Sequence, residues 1–165
     1  MHLQQLVTRY LQFNAWANTR QTDWVMLLDR DTVYKEIGSG SGTIDKTLQH
    51  ILAAQTYWCD ILVQGVFKEF DRTLKVHAIA EVVDDLLNSS QQLVNNLSLL
   101  DDEKLIERIE VTDSTQSRYE YILHLVNHGS YHRGQVVTIA RALGVVGEIP
   151  VTDYDAYLWW IENKL

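Results

Sequence analysis

The chain has 165 residues, of which 46% are apolar, and it carries a formal net charge of −8 at pH 7. This length and apolar content predict one domain, residues 1–165, which buries roughly 70% of the surface of the unfolded chain. Because the negative charge repels nucleic acid and the Lys and Arg residues are scattered singly, we expect no nucleic-acid partner.

The sequence also bears on membranes and on the cellular compartment. It has no run of about 18 apolar residues, so we expect no membrane-spanning helix. The first residues, MHLQQLVTRY, do not combine a basic segment with an apolar one, as a secretory signal does. Cys59 is the only cysteine and cannot form an internal disulfide. We therefore expect a cytoplasmic protein.

The first two predicted helices lie on either side of a glycine-rich break. Residues 2–28 have an apolar stripe at helical spacing, formed by Leu3, Leu6, Tyr10, Phe13, Ala17, Trp24 and Leu28. The GSGSG run at 38–42 interrupts the pattern, and Thr43 is then in position to cap a second helix that ends near Gly65. The predicted core side of this helix consists of Ile44, Leu48, Ile51, Gln55, Trp58 and Leu62.

The third predicted helix is the most clearly amphipathic segment of the chain. It covers residues 78–98, with a core side formed by Ile79, Val82, Val83, Leu86, Ser90, Leu93, Val94 and Leu97. The stretch 103–115 is rich in β-branched residues, which favours an extended segment over a frayed helix.

A fourth long helix is predicted from Thr115 to Leu143, followed by Gly144 in the usual position after a helix end. Thr152 or Asp153 is in position to begin a short C-terminal helix. Four long helices in a small acidic domain predict an all-α fold, a four-helix bundle with this short helix added.

The fourth helix contains three histidines at intervals of four, in HLVNHGSYHRGQ at 124–135. His128 and His132 interrupt its apolar stripe, so both imidazoles should point inward, where each costs about 1–3 kcal/mol without a partner. Residues four apart on a helix are about 6 Å apart and can bind one metal ion together. Three histidines span roughly 12 Å along one helix. We therefore assign His124 to the edge of the face and expect a third ligand from another helix.

His50 is the best candidate for that third ligand, because it lies in the middle of the second helix beside the apolar stripe. His2 is at a terminus and His77 is in a predicted loop. Cys59 is nine residues after His50, which places it about 180° around the helix. Histidines that only form hydrogen bonds in the core remain an alternative at this stage.

Three blocks of the sequence resemble the DinB family of DinB/YfiT-like metalloenzymes. FNAWAN at 13–18 is similar to the family signature Y/F-N-x-W-A-N of the first helix. TIDKTLQHILAAQTYW at 43–58 resembles the second helix, in which T-L-x-H supplies a metal ligand. HLVNHGSYHRGQV at 124–136 resembles the block that supplies the other two ligands.

This resemblance implies that His50, His128 and His132 bind a divalent ion, with zinc and nickel the common choices. It implies a bundle with up-down-down-up connections and a homodimer. Asn127 and Arg133 are candidates for orienting the imidazoles, although pairing of Arg133 with a surface carboxylate is the favoured alternative. Gly134 is expected to serve close helix packing, Gln135 a buried hydrogen bond, and Trp159 and Trp160 packing on the bundle or on a partner subunit.

Three histidine ligands leave a fourth position on a zinc ion, as in catalytic sites. Gly129 stands where the zinc proteases have their glutamate base, so HGSYH is not the protease motif. A thiolate needs no separate base, and some relatives are transferases or isomerases that use low-molecular-weight thiols. We therefore expect a metal-dependent, thiol-dependent transferase or a related hydrolase that acts on small electrophilic or stress metabolites.

A non-catalytic, stress-inducible metal-binding homodimer is the alternative, since family membership alone does not fix a reaction. The candidates for proton transfer are Tyr57, Tyr131 and Asp153. Because protons compete with the metal for imidazole, the sequence predicts that occupancy falls below about pH 6.

Overall fold

The computed structural model describes residues 2–37, 42–70 and 78–164. Its helices are α1 (Leu3–Val25), α2 (Arg30–Tyr34), α3 (Ile44–Gln64), α4 (Ile79–Leu97), α5 (Asp102–Ile106), α6 (Arg118–Ala142) and α7 (Tyr154–Glu162). An antiparallel hairpin of β1 (Arg108–Val111) and β2 (Ser114–Ser117) lies between α5 and α6. The four long helices pack together as the predicted all-α bundle, and α7 is the predicted short C-terminal helix.

The helix boundaries follow the capping signals of the sequence. The Thr43 side chain accepts a hydrogen bond from the backbone N–H of Lys46 at 3.0 Å, which caps α3 as predicted. Gly65 ends α3 with φ at 72°, a left-handed conformation that favours glycine. Residues 103–115 are partly extended, as expected, but they begin within α5. The sequence did not predict α2, and most of the GSGSG run lies outside the described residues.

The contacts between helices give their directions. Helices α3 and α4 are parallel, because the residue numbers of contacting pairs increase along both helices. These pairs are Gln55 with Ser90 and Cys59 with Asn96. Helix α6 is antiparallel to α3, because the residue numbers of contacting pairs increase along α3 and decrease along α6. These pairs are His50 with His128 and Leu62 with Arg118. The same pattern makes α1 antiparallel to α4: Gln4 with Ser98, and Asn18 with Ser90. The long helices therefore run up, down, down and up, as the resemblance implied.

The apolar core of the bundle consists of two clusters. The first includes Leu11, Ile61, Leu62, Leu93, Leu97, Ile122 and Val126. The second includes Val25, Leu48, Ile51, Leu86, Val136 and Ile139. Between them each long helix buries polar side chains, and we name Asn14, Asn18, Gln55, Ser90 and Arg133 the polar layer. On α6, His128 and His132 lie in the same stretch of the helix as Arg133.

The core side of α1 is wider than the predicted apolar stripe, because it also includes members of the polar layer. Phe13 and Ala17 are buried as predicted, and the other buried residues of α1 are Val7, Leu11, Asn14, Asn18, Gln21, Thr22 and Val25. Leu6, which the sequence placed in the core stripe, is instead exposed. The apolar pattern alone was misleading because α1 buries several amide side chains.

Helix α7 packs against α1 through aromatic side chains. Tyr157 and Trp160 contact Trp16 with ring centroids 5.5 and 6.0 Å away. Trp159 is 66% exposed, so only one of the two adjacent tryptophans packs on the bundle. None of the helices in the described part of the chain combines the length and apolar content needed to cross a membrane.

Candidate metal centre

The structure brings His50 of α3 together with His128 and His132 of α6, and we name these residues the histidine cluster. Each offers one ring nitrogen, and these nitrogens all lie within 4.8 Å of one another. The Nε2 atoms of His50 and His128 are 3.1 Å apart. Two nitrogens on one tetrahedral zinc ion, with bonds of about 2.0–2.1 Å, are separated by roughly 3.4 Å. The cluster therefore has nearly the spacing that a shared ion requires.

Gln135 determines which nitrogen His132 presents to the cluster. The Nδ1 atom of His132 is 2.6 Å from Oε1 of Gln135. An amide oxygen only accepts hydrogen bonds, so Nδ1 must carry the proton and donate it. The lone pair of His132 is then on Nε2, the atom free to bind an ion. Such hydrogen bonds commonly orient metal-binding histidines, and the expected buried hydrogen bond of Gln135 has this role.

The surroundings of the cluster favour neutral imidazoles. Burial lowers the pKa of all three histidines in the cluster. At His128, repulsion from neighbouring imidazolium charges on His132, His50 and His124 adds to the effect of burial, and together they lower its pKa to about 4. Histidine binds a metal only in its neutral form. The donor set, its spacing and its protonation all fit a divalent ion.

The remaining histidines and the cysteine lie outside the cluster. His124 is exposed at the edge of α6, and its ring stacks on His128 with centroids 5.9 Å apart. Nδ1 of His2 is 3.6 Å from Oδ2 of Asp102, and His2 is not part of the cluster. Cys59 is buried against α4, and burial raises the pKa of its thiol, which disfavours the metal-binding thiolate. His77 lies outside the described residues.

Three neighbours of the histidines differ from expectation. Arg133 is 2% exposed and bonds to Asn14, Asn18 and Ser130, so it neither orients an imidazole nor pairs with a surface carboxylate. Asn127 is exposed. A Cβ atom added to Gly134 would have no other heavy atom within 4 Å, so this glycine does not serve close helix packing.

Gly129 of α6 lies against polar side chains of the polar layer. A Cβ atom on Gly129 would be 3.0 Å from Oδ1 of Asn14 and 3.1 Å from Nη1 of Arg133. The glycine that distinguishes HGSYH from the protease motif therefore leaves room for the polar layer.

Aromatic rings border the histidine cluster on the α3 side. Phe70 meets the edge of the His50 ring at 6.4 Å between centroids, and Tyr57 contacts Phe70 at 5.1 Å. Trp58 contacts His124 at 5.5 Å. Phe70, Tyr57 and Trp58 are all partly exposed. They provide an apolar surface beside the cluster.

The three predicted candidates for proton transfer lie at different distances from the cluster. Tyr131 is exposed, and its ring centroid is 5.0 Å from that of His132. Tyr57 packs on Phe70, and burial raises the pKa of its hydroxyl. Asp153 begins α7, which packs against α1. Among the described residues, no aspartate, glutamate or cysteine joins the histidine cluster as a further metal-binding group.

Replacement of Gln135 by leucine is expected to lower the affinity for zinc by about 10- to 100-fold. The substitution removes the acceptor that holds the His132 proton on Nδ1, so the ring is free to adopt the tautomer that cannot bind through Nε2. Competition with a chromophoric chelator measures the affinity. Gln91→Leu is the matched control, because Gln91 is an exposed glutamine of α4. An unchanged affinity in Gln135→Leu would contradict the assigned role.

Metal release on acidification is expected at lower pH than the value of about 6 that unperturbed histidine suggests. Burial lowers the pKa of the cluster, and that of His128 lies near 4. Protons therefore compete with the ion only in more acidic solution, and occupancy should persist at about pH 5 and be lost near pH 4. Equilibrium dialysis followed by elemental analysis measures this profile. Complete release by pH 6 would show that the imidazoles titrate normally.

The polar layer was not predicted from the sequence as a connected set of contacts. Gln55 and Ser90 were visible as polar residues within otherwise apolar stripes, and Asn14 and Asn18 belong to the FNAWAN block. All four are buried in the structure. The interruption of several stripes at one level was the available signal, but the sequence did not identify the partners.

The comparisons with known proteins agree with the fold. The DinB family model matches residues 2–165. Protein DinB of Bacillus subtilis (strain 168) is 24% identical over 165 residues, a match that covers 93% of this chain and 94% of that protein.

Two solved structures are also similar, each with a TM-score of 0.69. A DinB-like protein from Bacillus cereus ATCC 10987 is 19% identical, with 86% of this chain and 94% of that chain covered. A DinB-like protein from Bacillus subtilis (YjoA) is 13% identical, with 87% and 96% covered. At these identities the two structures show the shared fold alone. Since the family model covers nearly the whole sequence, this chain belongs to the DinB family.

Proposed function

We propose that this protein is a divalent-metal-dependent enzyme that joins a low-molecular-weight thiol to a small electrophile. The observation that carries the proposal is the histidine cluster, whose three nitrogens lie within 4.8 Å of one another without a carboxylate in the group. Zinc and nickel suit three imidazole ligands. The proposed metal ligands are His50, His128 and His132.

Different residues would have different roles in such a site. A bound divalent ion would supply a Lewis acid that stabilises the thiolate form of the co-substrate. His132 is held by Gln135 with Nε2 directed to the cluster. The partial exposure of His50 and His128 gives solvent-borne molecules access. Phe70 contacts His50 and Trp58 contacts the neighbouring His124, and both rings offer a contact surface for the apolar part of a substrate.

The reaction balances without a further oxidant or reductant. The thiol loses its proton to the solvent, and its sulfur forms a bond with the electrophilic carbon. The bond from that carbon to the leaving group breaks, and the leaving group departs with the electron pair. No protein carboxylate is needed for this sequence, which agrees with an all-histidine site more closely than hydrolysis does.

The test is thioether formation by protein purified without a histidine tag and loaded with zinc or nickel. Mass spectrometry would detect the conjugate of a small thiol with a model aryl halide. Wild-type protein is expected to form it, and His132→Ala is not. His124→Ala is the matched control, since His124 lies on the same helix outside the cluster and should retain the activity. Equal product from wild-type protein and His132→Ala would reject the proposal.

A second candidate is a metal-binding homodimer without catalytic activity. The exposed Trp159 supports it, since a large apolar side chain at the surface favours burial against a second subunit. This candidate predicts a stoichiometric ion, a dimer in analytical ultracentrifugation and no turnover across a broad screen of thiols and esters. Elemental analysis that finds no divalent ion would reject both candidates and leave histidines that only form hydrogen bonds.

A further inference from the structure

The polar layer connects the two helices that carry the histidine cluster. Nη1 of Arg133, on α6, donates hydrogen bonds to Oδ1 of Asn18 at 2.8 Å and Oδ1 of Asn14 at 3.1 Å. The side-chain amides of Asn14 and Asn18 donate to Oε1 of Gln55, on α3, at 2.7 and 2.9 Å. Gln55 also donates to Ser90 of α4 at 3.1 Å. The contacts run without interruption from α6 through α1 to α3 and α4.

We propose that the polar layer positions the histidine cluster by fixing the rotation of α6 and α3 about their own axes; this inference rests on the proposed metal site. His132 and Arg133 are adjacent on α6, roughly 100° apart around the helix. The rotation that places Arg133 against α1 therefore also directs His132 toward α3. His50 and Gln55 have a related arrangement on α3, five residues apart. Contacts with α1 therefore fix the rotation of both helices that carry the proposed metal ligands.

The required accuracy explains why apolar packing is not sufficient. A side-chain tip about 6 Å from the axis moves by about 1 Å when its helix rotates by roughly 10°. Binding sites need their groups held to within about 0.5 Å. Apolar contacts have little directional preference, whereas a buried guanidinium that loses its acceptors incurs a large penalty. The polar layer supplies the directional contacts.

The close approach at Gly129 supports the same role. This residue is one turn before Arg133 on α6, and its missing side chain admits Asn14 and the guanidinium. Nη2 of Arg133 also donates to Ser130 of the same helix at 2.9 Å. The guanidinium is therefore held on one side by its own helix and on the other by α1. The rotation of α6 then depends on the position of α1.

The test compares Arg133→Met with the core variant Leu97→Ala. Methionine is a flexible apolar residue of similar length that removes every donor of the guanidinium. Leu97 is fully buried on α4, which carries no histidine, so its truncation lowers stability without touching the polar layer. Arg133→Met is expected to bind Zn²⁺ at least about 10-fold more weakly and to change the visible absorption of bound Co²⁺. Leu97→Ala should keep both properties of the wild-type protein.

An Arg133→Met variant with wild-type affinity and an unchanged Co²⁺ spectrum would overturn the inference. If this variant does not fold, Gln55→Met decides the question from the α3 side. It removes the acceptor of Asn14 and Asn18 and leaves the bonds from Arg133 to both asparagines in place. Weakened Zn²⁺ binding in Gln55→Met supports the positioning role, and unchanged binding overturns it.

A readout on the metal-free protein separates this inference from the proposed function. The rings of His50 and His132 have centroids 4.4 Å apart, so nuclear Overhauser contacts between their protons should be present in wild-type protein. Loss of these contacts in Arg133→Met supports the positioning role, and their persistence overturns it. Wild-type protein that binds neither Zn²⁺ nor Co²⁺ would reject the proposed function, while this measurement would still decide the role of the polar layer.

Discussion

Replacement of His128 by alanine is expected to abolish stoichiometric binding of zinc or nickel, with an affinity loss of at least about 100-fold. Removal of a group that merely orients a ligand costs about 10- to 100-fold, so loss of a ligand should cost no less. The Nε2 atom of His128 is also 3.1 Å from that of His50, close to the spacing of two ligands on one ion. Elemental analysis of tag-free protein and isothermal titration measure the stoichiometry and the affinity.

The matched control for this experiment is His124→Ala. His124 is one turn before His128 on α6 and stacks on its ring, but it does not belong to the cluster. The control should bind one ion with nearly wild-type affinity. If His128→Ala still bound a stoichiometric ion, or if both variants lost it equally, the assignment of the ligands would be wrong.

Replacement of Asn18 by leucine is expected to lower the free energy of unfolding by about 3 kcal/mol. Asn18 is 1% exposed, accepts from Arg133 at 2.8 Å, and donates to Gln55 and Ser90. Leucine has a similar volume but offers no acceptor, so a guanidinium buried away from water loses part of its compensation. Burial already lowers the pKa of Arg133 to about 10. Urea unfolding of the metal-free protein measures the loss.

Thr19→Ala provides the comparison on the same helix. Thr19 follows Asn18 directly and is exposed, and its hydroxyl donates to the backbone carbonyl of Ala15 in the same helix. Exposed substitutions of this kind change stability by about 0.5 kcal/mol or less. A loss below about 1 kcal/mol in Asn18→Leu would mean that the buried cation does not depend on this acceptor.

The sequence allowed the histidine cluster to be predicted because its members interrupt regular apolar patterns. His128 and His132 replace core residues of α6 one turn apart, and His50 lies on another predicted core helix. Helix geometry then excluded His124 and Cys59 from the same ion. The family resemblance selected the same three residues, and the structure brings them together.

The partners of the buried polar residues were beyond the reach of the sequence. Arg133 was assigned to a surface ion pair because arginine is rarely buried without a carboxylate, yet amide oxygens accept its hydrogen bonds. The predicted face of α1 was incomplete for the same reason, since Asn14 and Asn18 are also buried in the core. Such contacts depend on which helices become neighbours, and this is a property of the tertiary structure.

The local elements differ in how strongly the sequence determines them. The long helices have periodic stripes and capping residues such as Thr43, so their positions were predicted to within a few residues. The short helix α2 and the hairpin of β1 and β2 have only five or four residues per element. Elements of this length have little periodicity, and contacts with the bundle determine their conformation.

The separation of His50 and His128 by 78 positions has a consequence for when a metal ion could bind to the cluster. Neither half of the polypeptide contains all three nitrogens, so a growing chain cannot form the complete site until α6 has emerged and docked on α3. An ion that binds only this docked state adds to its stability by mass action, by about 4 kcal/mol at a thousand times the dissociation constant. Metal supply would then influence how much of the newly synthesised protein survives proteolysis, independently of any turnover.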